Sequence, residues 1–303
     1  MDLDVIIIGG SYAGMAAALQ LVRARRSVVV IDAGSRRNRF ADSSHGFLTQ
    51  DGNSPQAIAA TAKAQLLAYP TVQWLEASAI SASKIASGFQ VSTETQSYQA
   101  KRLVLATGVT DQLPEIPGLA ERWGKSIFHC PYCHGYELEQ GAIGVLAASP
   151  LALHHALMLP DWGPTTLFTN ECFEPDAEQK AQLLTRGVVI EAGKVLQISG
   201  KADVQLANGK ILHMAGLFTQ PTSIVNSPVA QQLGCQFEQG PLGAFIQTSA
   251  SKETTVPGVF ACGDNARMAG SVAIAIGDGS LAGAMAHQSL LFGTISHSGI
   301  HQP

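Results

Sequence analysis

Two cysteines separated by two residues and followed directly by a histidine are the residues of this sequence best suited to redox chemistry. They lie in the segment Cys130-Pro131-Tyr132-Cys133-His134. Such a pair can close a disulfide and reopen it, and the thiol nearer a helix N-terminus often has its pKa lowered from about 8.5 toward neutrality. An imidazole with an ordinary pKa of about 6.5 can pass a proton to or from these thiols. The segment therefore predicts three catalytic residues, Cys130, Cys133 and His134.

A zinc site is the main alternative for a Cys-x-x-Cys pair. Zinc would need a second pair of ligands. The other cysteines, Cys172, Cys235 and Cys262, each stand alone, with no ligand spacing around them. We therefore predict no metal site.

Composition limits the classes of protein that this chain can belong to. With 303 residues, 46% apolar and 14% charged, it is long enough for two globular α/β domains. A net charge of −4 gives no basic surface for nucleic acid. The acidic start lacks the form of a signal peptide, and no apolar run approaches the ~18 residues that cross a bilayer. We predict a cytoplasmic protein, in which a Cys-x-x-Cys pair is more often catalytic than structural.

The first residues predict a dinucleotide-binding unit. The apolar strand Val5–Ile8 leads through the glycine-rich turn Gly9–Gly14 into a helix predicted over Met15–Arg25. In this arrangement backbone N–H groups and the helix N-terminus contact a pyrophosphate. A second strand, Val28–Ile31, ends in Asp32, whose carboxylate can accept hydrogen bonds from ribose hydroxyls. The fingerprint is degenerate, because a serine occupies the third position of its G-x-G-x-x-G pattern.

Later segments resemble those of flavoproteins with two dinucleotide-binding domains. Leu103–Gly108 reads as a strand entering a tight turn, and Val256–Asp264 as a strand ending in an acid. The resemblance implies that this acid binds the ribityl chain of FAD. The helix predicted over Ser271–Leu291 would pack on the cofactor through its glycines and alanines, and the polar loop Gly34–Gly52 would wrap FAD. The residues predicted to bind FAD are Gly9, Ser11, Ala13, Gly14, Asp32, Arg36, Asn38, Ala106, Thr107, Gly108, Gly263, Asp264, Ser271, Val272 and Ala273.

The segment between these halves carries the cysteine pair and then starts a new strand at Ile143–Leu146. We predict an α/β fold with two Rossmann-like dinucleotide-binding domains. The FAD-binding domain comprises residues 1–117 and 243–303, and an NAD(P)-type domain, residues 118–242, is inserted into it.

The inserted domain lacks the usual features of an NADPH site. The turn Ala147–Ala152 contains no glycine, and Pro150 has no backbone donor for a phosphate. Glu171 and Glu174 stand where arginines would hold a 2′-phosphate. We predict that the site has been lost or reassigned, and that the adjacent pair His154-His155 lies at a surface or an interface.

The chain resembles the low-molecular-weight thioredoxin reductases over nearly its full length, and within them the branch that includes dithiol oxidases of holomycin- and gliotoxin-type biosynthesis. The segments that carry this resemblance are Gly9–Gly14, Cys130–Glu137 and Gly144–Ala147. The departures from ordinary thioredoxin reductases are a histidine after the second cysteine and the glycine-free turn. The resemblance implies a homodimer in which Cys133 is the flavin-proximal thiol, Cys130 exchanges with substrate and His134 is the acid/base.

The predicted function is oxidation of a dithiol by an FAD-dependent thiol-disulfide oxidoreductase, with O₂ or another acceptor. Three alternatives stay open at this point. The first is an NADPH-dependent thioredoxin reductase, the second a related reductase fed by ferredoxin or a second flavin, and the third a non-catalytic redox-sensing flavoprotein. The substrate is either a small dithiol or disulfide or a thioredoxin-like protein.

Overall fold

The computed structural model of the protein describes residues 3–293. The predicted FAD-domain segments start at residue 1 and end at residue 303, so their outermost residues, 1–2 and 294–303, lie outside the described residues.

Strands and helices alternate along most of the chain. The strands are β1 (Leu3–Ile8), β2 (Val28–Asp32), β3 (Val72–Glu76), β4 (Ser81–Ile85), β5 (Gly88–Ser92), β6 (Ser97–Leu105), β7 (Val109–Gln112), β8 (Ile127–Phe128), β9 (Ile143–Leu146), β10 (Thr165–Phe168), β11 (Val189–Glu191), β12 (Val195–Ser199), β13 (Asp203–Leu206), β14 (Ile211–Leu212), β15 (Gly216–Phe218), β16 (Thr222–Val225), β17 (Phe237–Gly240), β18 (Gly243–Ile246) and β19 (Val259–Ala261). The helices are α1 (Tyr12–Arg23), α2 (Pro55–Leu67), α3 (Pro131–His134), α4 (Ala152–Met158), α5 (Ala177–Thr185), α6 (Val229–Gln232) and α7 (Val272–Phe292).

Among the described residues, the first compact unit contains residues 3–39, 56–110 and 223–293. Its sheet has the order β3-β2-β1-β6-β5-β4, and β19 also pairs with β6. The central strands β1 and β2 pair in parallel, and their β-branched residues are fully or almost fully buried. Strands buried on both faces read as continuous apolar runs, which is why the sequence revealed them. The carboxyl ends of β1, β2 and β6 carry most of the predicted FAD-binding residues.

The second compact unit contains Phe40–Pro55 and Asp111–Thr222. Its main sheet is parallel, in the order β11-β10-β9-β15-β8, and a three-stranded antiparallel sheet, β12-β13-β14, follows. The two Rossmann-type sheets confirm the predicted fold class. The cysteine pair comes directly after β8, at the carboxyl edge of the second sheet.

The boundaries between the units differ from the predicted 118–242 insert. The chain enters the second unit at residue 111 and leaves it after residue 222, and residues 40–55 also belong to that unit. Residues 223–242 join the first unit because Val229 and Ala230 pack in its core and Gln232 Oε1 accepts a hydrogen bond from Ala82 N at 2.9 Å. Apolar periodicity alone does not reveal which core such a short helix completes.

Two of the glycines that the sequence predicts to pack α7 on a cofactor lie against α1. A Cβ added at Gly279 would lie 2.0 Å from Ala13 O, and one added at Gly283 would lie 2.4 Å from Ala17 O. These glycines therefore allow the backbones of α1 and α7 to approach closely. A Cβ at Gly277 would meet nothing within 4 Å.

Across residues 3–293, no helix combines the length and apolar character needed to span a membrane.

Candidate active site

Cys130 and Cys133 form a disulfide, with their Cα atoms 5.3 Å apart. Strand β8 delivers the chain to this point, and Cys130 then caps the four-residue helix α3, with Pro131 at its first position. The fixed φ of proline suits the start of a helix and costs no hydrogen bond there. Both cysteines are partly exposed, whereas the neighbouring Tyr132 is 73% exposed and lies edge-on to Trp162. The pair is accessible to a thiol from outside the unit.

His134 lies at the end of α3 and stacks on Phe128, with ring centroids 4.2 Å apart. Burial, together with the nearby imidazoles of His129 and His45, lowers the pKa of His134 to about 4. The sequence alone predicted titration near neutrality. A neutral imidazole beside a disulfide can accept a proton from an attacking thiol at physiological pH.

The part of the loop Gly34–Gly52 that contains His45 lies beside the disulfide segment. His45 Nε2 lies 3.4 Å from Glu137 Oε1, just after the disulfide segment. A Cβ on Gly124 would lie 2.7 Å from Phe40 Cβ, which shows how closely the start of this loop packs in the second unit. Only its first residues, up to Arg39, belong to the first unit. The local sequence does not predict which part of this polar loop belongs to which unit.

Replacing His134 by asparagine is expected to lower the rate of dithiol oxidation at pH 7 by about 10²-fold, the usual scale for a positioned base. If the neutral imidazole of the wild type takes the proton, the rate should stay level down to about pH 5 and fall only near the pKa of about 4. The variant must rely on preformed substrate thiolate, so its rate should rise about tenfold per pH unit below the thiol pKa. Initial rates from pH 4 to pH 8 measure both slopes.

The matched control is His213→Asn, because His213 is 80% exposed and lies in the same unit, paired with Asp203. It should keep the wild-type profile. Parallel pH profiles for His134→Asn and the wild type would contradict the role of His134 as base.

The glycine-rich turn between β1 and α1 has the geometry that the sequence predicts. Gly9 has a φ of +105°, and a Cβ there would lie 2.1 Å from Ala106 O. A Cβ at Gly14 would lie 1.8 Å from Gly9 O. Ser11 is the N-cap of α1, yet its side chain makes no capping hydrogen bond. The helix N-terminus and the Ser11 hydroxyl are therefore suited to bind a phosphate group.

Next to this turn lies an open pocket of about 420 Å³ in the first unit, lined by Gly10, Asp32, Arg36 and Trp74 among others. Asp32 Oδ1 accepts a hydrogen bond from Gly10 N at 3.2 Å, which leaves its second oxygen for a ribose hydroxyl. Within residues 3–293, the buried atoms Arg36 Nε and Trp74 Nε1 have no hydrogen-bond partner. Unpaired buried polar atoms around a pocket fit a nucleotide with many acceptor atoms.

A further group of polar residues includes Asp264, which the family resemblance predicts to bind a ribityl chain. Asp264 Oδ2 is 2.8 Å from Arg37 Nη1. The buried side chain of Asn265 donates hydrogen bonds to Leu105 O and to Thr107 Oγ1, both at 3.1 Å. Asn265 thus connects the turn after β6 to the turn after β19. The sequence did not predict a role for Asn265 or the ion pair of Arg37. Each of these residues is the neighbour of a predicted one, but neither belongs to a recognisable motif.

The remaining predicted FAD residues also lie in the first unit. Asn38 donates a hydrogen bond to Tyr12 Oη at 3.3 Å, and its buried Oδ1 has no partner among the described residues. A Cβ added at Gly263 would lie 2.9 Å from the Ala13 side chain. Gly108 has a φ of +65°, consistent with the predicted tight turn. Ser271 caps α7 by accepting a hydrogen bond from Ile274 N, and Val272 and Ala273 form the first turn of that helix.

In the corresponding turn of the second unit, after β9, the N–H groups from Leu151 to His154 donate hydrogen bonds within the turn. Ser149 Oγ accepts from Leu151 N at 3.3 Å, and Ser149 O accepts from Ala152 N at 3.1 Å. Leu153 N and His154 N donate to carbonyl groups within the same turn. These are the N–H groups that would face a phosphate in a dinucleotide-binding turn.

The acidic residues beyond β10 also have local roles. Glu174 forms an ion pair with Lys180 at 2.8 Å, which lowers the pKa of that carboxyl group. Glu171 adopts a left-handed backbone with a φ of +57°.

The other cysteines lie apart from the disulfide. Cys172 is exposed, whereas Cys235 and Cys262 are buried in the first unit. Burial raises the pKa of Cys262 to about 12, so this thiol is protonated and inert at neutral pH. No group of metal-binding side chains gathers among the residues that the structure describes.

The chain is similar in sequence and in structure to several known proteins. A family model for pyridine nucleotide-disulphide oxidoreductases matches residues 3–279. Thioredoxin reductase tcpT of Claviceps purpurea is 34% identical, over 95% of this chain and 94% of its own. A crystal structure of an oxidoreductase from Agrobacterium tumefaciens shares 57% identity with a TM-score of 0.95, and covers 96% of this chain and 99% of that one. The crystal structure of HlmI shares 34% identity with a TM-score of 0.89, over 96% of this chain and 93% of that one. These similarities confirm the predicted resemblance.

Proposed function

Because the chain belongs to the pyridine nucleotide-disulphide oxidoreductase family and is thus a thiol-disulfide oxidoreductase, we propose that it binds FAD and oxidises a dithiol to a disulfide without NADPH. The observation that carries this proposal is the Cys130–Cys133 disulfide, followed directly in the sequence by His134 with its neutral imidazole. A disulfide accepts two electrons from a dithiol, and a neutral imidazole accepts the proton that the first thiol must lose.

The thiol-disulfide steps follow from the chain's own residues. A substrate thiol loses its proton to His134 and attacks Cys130 Sγ, which forms a mixed disulfide and releases Cys133 as a thiolate. The second substrate thiol then attacks the substrate sulfur of that mixed disulfide, which forms the product disulfide and releases Cys130, and the proton of the second thiol passes to the departing Cys130 sulfur. The assignment of Cys130 as the attacked sulfur comes from the family resemblance. FAD, when bound, supplies the two-electron acceptor for the reduced pair, with O₂ as the terminal acceptor.

Several observations support FAD as that cofactor. The turn Gly9–Gly14 and the Ser11 hydroxyl, which makes no capping hydrogen bond, can bind its pyrophosphate. The second carboxylate oxygen of Asp32 can accept a hydrogen bond from its adenosine ribose. Asp264 and Arg37 together suit the polar chain between pyrophosphate and ring. The pocket lined by Arg36 and Trp74 has room for the adenosine half.

The turn after β9 supports the proposal that NADPH is not the electron source. The N–H groups of Leu151 and Ala152 donate to Ser149, and the next two N–H groups donate to neighbouring carbonyl groups. The acids Glu171 and Glu174 offer no positive charge to a 2′-phosphate.

Thioredoxin reduction is the second candidate function, because relatives such as tcpT carry the name thioredoxin reductase.

A homodimer and a cytoplasmic location complete the proposal. The exposed apolar side chains of α7 support the dimer. Three of them, Ile274, Leu281 and Phe292, are each at least 40% exposed. They share one helix face, because Leu281 follows Ile274 by 7 residues, about two turns, and Phe292 follows Leu281 by 11 residues, about three turns. A reducing compartment suits a disulfide that is used catalytically.

Aerobic turnover of dithiothreitol tests the function. We expect a yellow protein that releases FAD on heating and that forms one hydrogen peroxide per dithiol oxidised. Peroxide and residual thiol are measured in the same samples, with free FAD at equal concentration as the control. A protein that holds FAD but consumes neither dithiol nor O₂ would refute the oxidase assignment.

A further inference from the structure

The loop that carries His45 is held in one shape by its own hydrogen bonds. Ser44 N donates to Asn53 O at 2.8 Å, and Gly52 N donates to Ser44 O at 2.9 Å, so the two ends of the loop are closed on each other. Ser44 is buried, which anchors one of these ends in the second unit. Compact loops with closed ends of this kind can hold a side chain at a defined place.

The imidazole of His45 has oxygen atoms on both of its edges. Nε2 lies 3.0 Å from Ser43 Oγ and 3.4 Å from Glu137 Oε1, and Nδ1 lies 3.6 Å from Asp51 Oδ1. Asp51 Oδ1 also accepts a hydrogen bond from Gly46 N at 2.8 Å, which fixes that carboxylate. Only 19% of the His45 side chain is exposed. Because carboxylates face both ring nitrogens, the orientation of the ring is defined.

The contact with Glu137 connects this loop to the disulfide segment. Glu137 lies in the single 3₁₀ turn Tyr136–Leu138, which begins two residues after His134 at the end of α3. Leu138 is buried in the core of the second unit, whereas Glu137 is partly exposed and has His45 as its ion-pair partner. The chain is thus held at two successive residues just after His134, by an ion pair and by apolar packing.

His45 also acts on His134 through its charge. Burial and the imidazoles of His129 and His45 together lower the pKa of His134 to about 4. A positive charge on His45 disfavours a second positive charge nearby, so it favours the neutral form of His134 that can accept a proton. His129 directly follows β8, whereas His45 comes from a separate loop and can be replaced without changing the strand or α3.

The other adjacent histidines of the second unit, His154 and His155, are not part of this arrangement. The sequence predicted that both would lie at a surface or an interface. His154 is exposed, but His155 is only 4% exposed because α4 packs it against Phe218. Neither is among the imidazoles that lower the pKa of His134.

We propose that His45 is a positioning residue, which holds the end of the disulfide segment through Glu137 and so keeps His134 oriented to take a proton from an incoming thiol. The inference rests on the proposed dithiol oxidation and adds a residue to its machinery. His45 itself forms and breaks no covalent bond. The thiol proton passes to His134, the substrate sulfur bonds to Cys130, and Cys133 leaves as a thiolate.

Two reductants distinguish this role from a purely structural one. Dithiothreitol must lose a thiol proton in order to attack the disulfide, whereas tris(2-carboxyethyl)phosphine attacks through phosphorus and loses no proton in that step. We expect His45→Leu to lower the second-order rate constant for opening of the disulfide by dithiothreitol about fivefold at pH 7, the upper range for a partly exposed ion pair. The constant for the phosphine should be unchanged.

The rate of opening is measured on the full-length protein, without oxygen and with the reductant in excess. Samples are quenched with acid, freed of reductant and labelled with N-ethylmaleimide. The intact mass then gives the fraction of chains that carry two more labels than the oxidised protein. This readout counts opened disulfides whether or not the electrons pass on to a flavin.

Further variants show whether the contact with Glu137 carries the effect. His45→Gln should keep most of the wild-type rate, because its amide can still donate to Glu137. Glu137→Met removes the acceptor and should slow dithiothreitol as His45→Leu does, and it decides the question if His45→Leu does not fold. The matched control is His213→Leu, because His213 is an exposed histidine of the same unit that also pairs with an acid. It should leave both constants unchanged.

A double variant shows whether His45 acts through His134. In the His134→Asn background, His45→Leu should cause no further loss, because the base that it positions is gone. Losses that multiply would overturn the inference. Equal slowing of both reductants in His45→Leu and Glu137→Met would also overturn it, since that result indicates a distorted disulfide.

The inference and the proposed function can fail separately. A protein whose disulfide opens as expected in every variant, but whose flavin stays oxidised, would refute the proposed oxidation and leave the role of His45 supported. A protein that oxidises dithiothreitol with formation of peroxide, while His45→Leu and Glu137→Met react at the wild-type rate, would overturn the inference alone.

Discussion

Replacing Cys133 by serine is expected to abolish dithiol oxidation, with a loss of at least about 10³-fold, because no disulfide remains to accept electrons. The same change should remove any long-wavelength absorbance of a thiolate beside oxidised flavin. Cys130→Ser should abolish oxidation equally, yet leave the Cys133 thiolate and therefore keep that absorbance. The two variants thus share a kinetic effect and differ in their spectra, which are recorded on the protein with FAD bound.

The spectral difference tests the assignment of the inner and outer thiol. Cys172→Ser is the control, because Cys172 is an exposed free cysteine of the same unit, and it should keep both activity and spectrum. A band that persists in Cys133→Ser and vanishes in Cys130→Ser would reverse the assignment. The disulfide itself would lose its catalytic role if either variant oxidised dithiothreitol at the wild-type rate.

The parts of the fold that the sequence predicted well are those with a local physical cause. Val28–Ile31 is an uninterrupted β-branched run because the strand is buried on both faces, and Gly9 is glycine because its φ of +105° excludes other residues. The spacing of Cys130 and Cys133 is compatible with a disulfide whatever surrounds it. Such features can be predicted from a few neighbouring residues.

The parts that the sequence did not reveal depend on partners far along the chain. His155 has an exposed neighbour and no motif, and only the packing of α4 on the second sheet buries it. The pKa of His134 depends on the stacked ring of Phe128 and on His45, which arrives from a loop more than 80 residues earlier. Arg37 meets Asp264 across 227 positions of sequence. Long-range contacts of this kind leave no periodic signal.

NADPH is expected to reduce the bound flavin at least about 100-fold more slowly than dithiothreitol does at the same concentration. If the second unit lacks an NADPH site as proposed, two sets of contacts would be missing, free N–H groups in the turn after β9 and positive charges for the 2′-phosphate. Each charge-assisted hydrogen bond contributes about 1.5–3 kcal/mol, so losing two of them costs a factor of about 10²–10⁴ in binding. Dithiothreitol bypasses these contacts, because it reacts directly at the Cys130–Cys133 disulfide.

The most direct test of the account is anaerobic flavin reduction followed by stopped-flow absorbance, with NADPH in one syringe series and dithiothreitol in the other. We predict rapid bleaching by dithiothreitol, slow or no bleaching by NADPH, and recovery of the yellow colour with formation of peroxide when air is admitted. Rapid bleaching by micromolar NADPH would contradict the account and favour thioredoxin reduction.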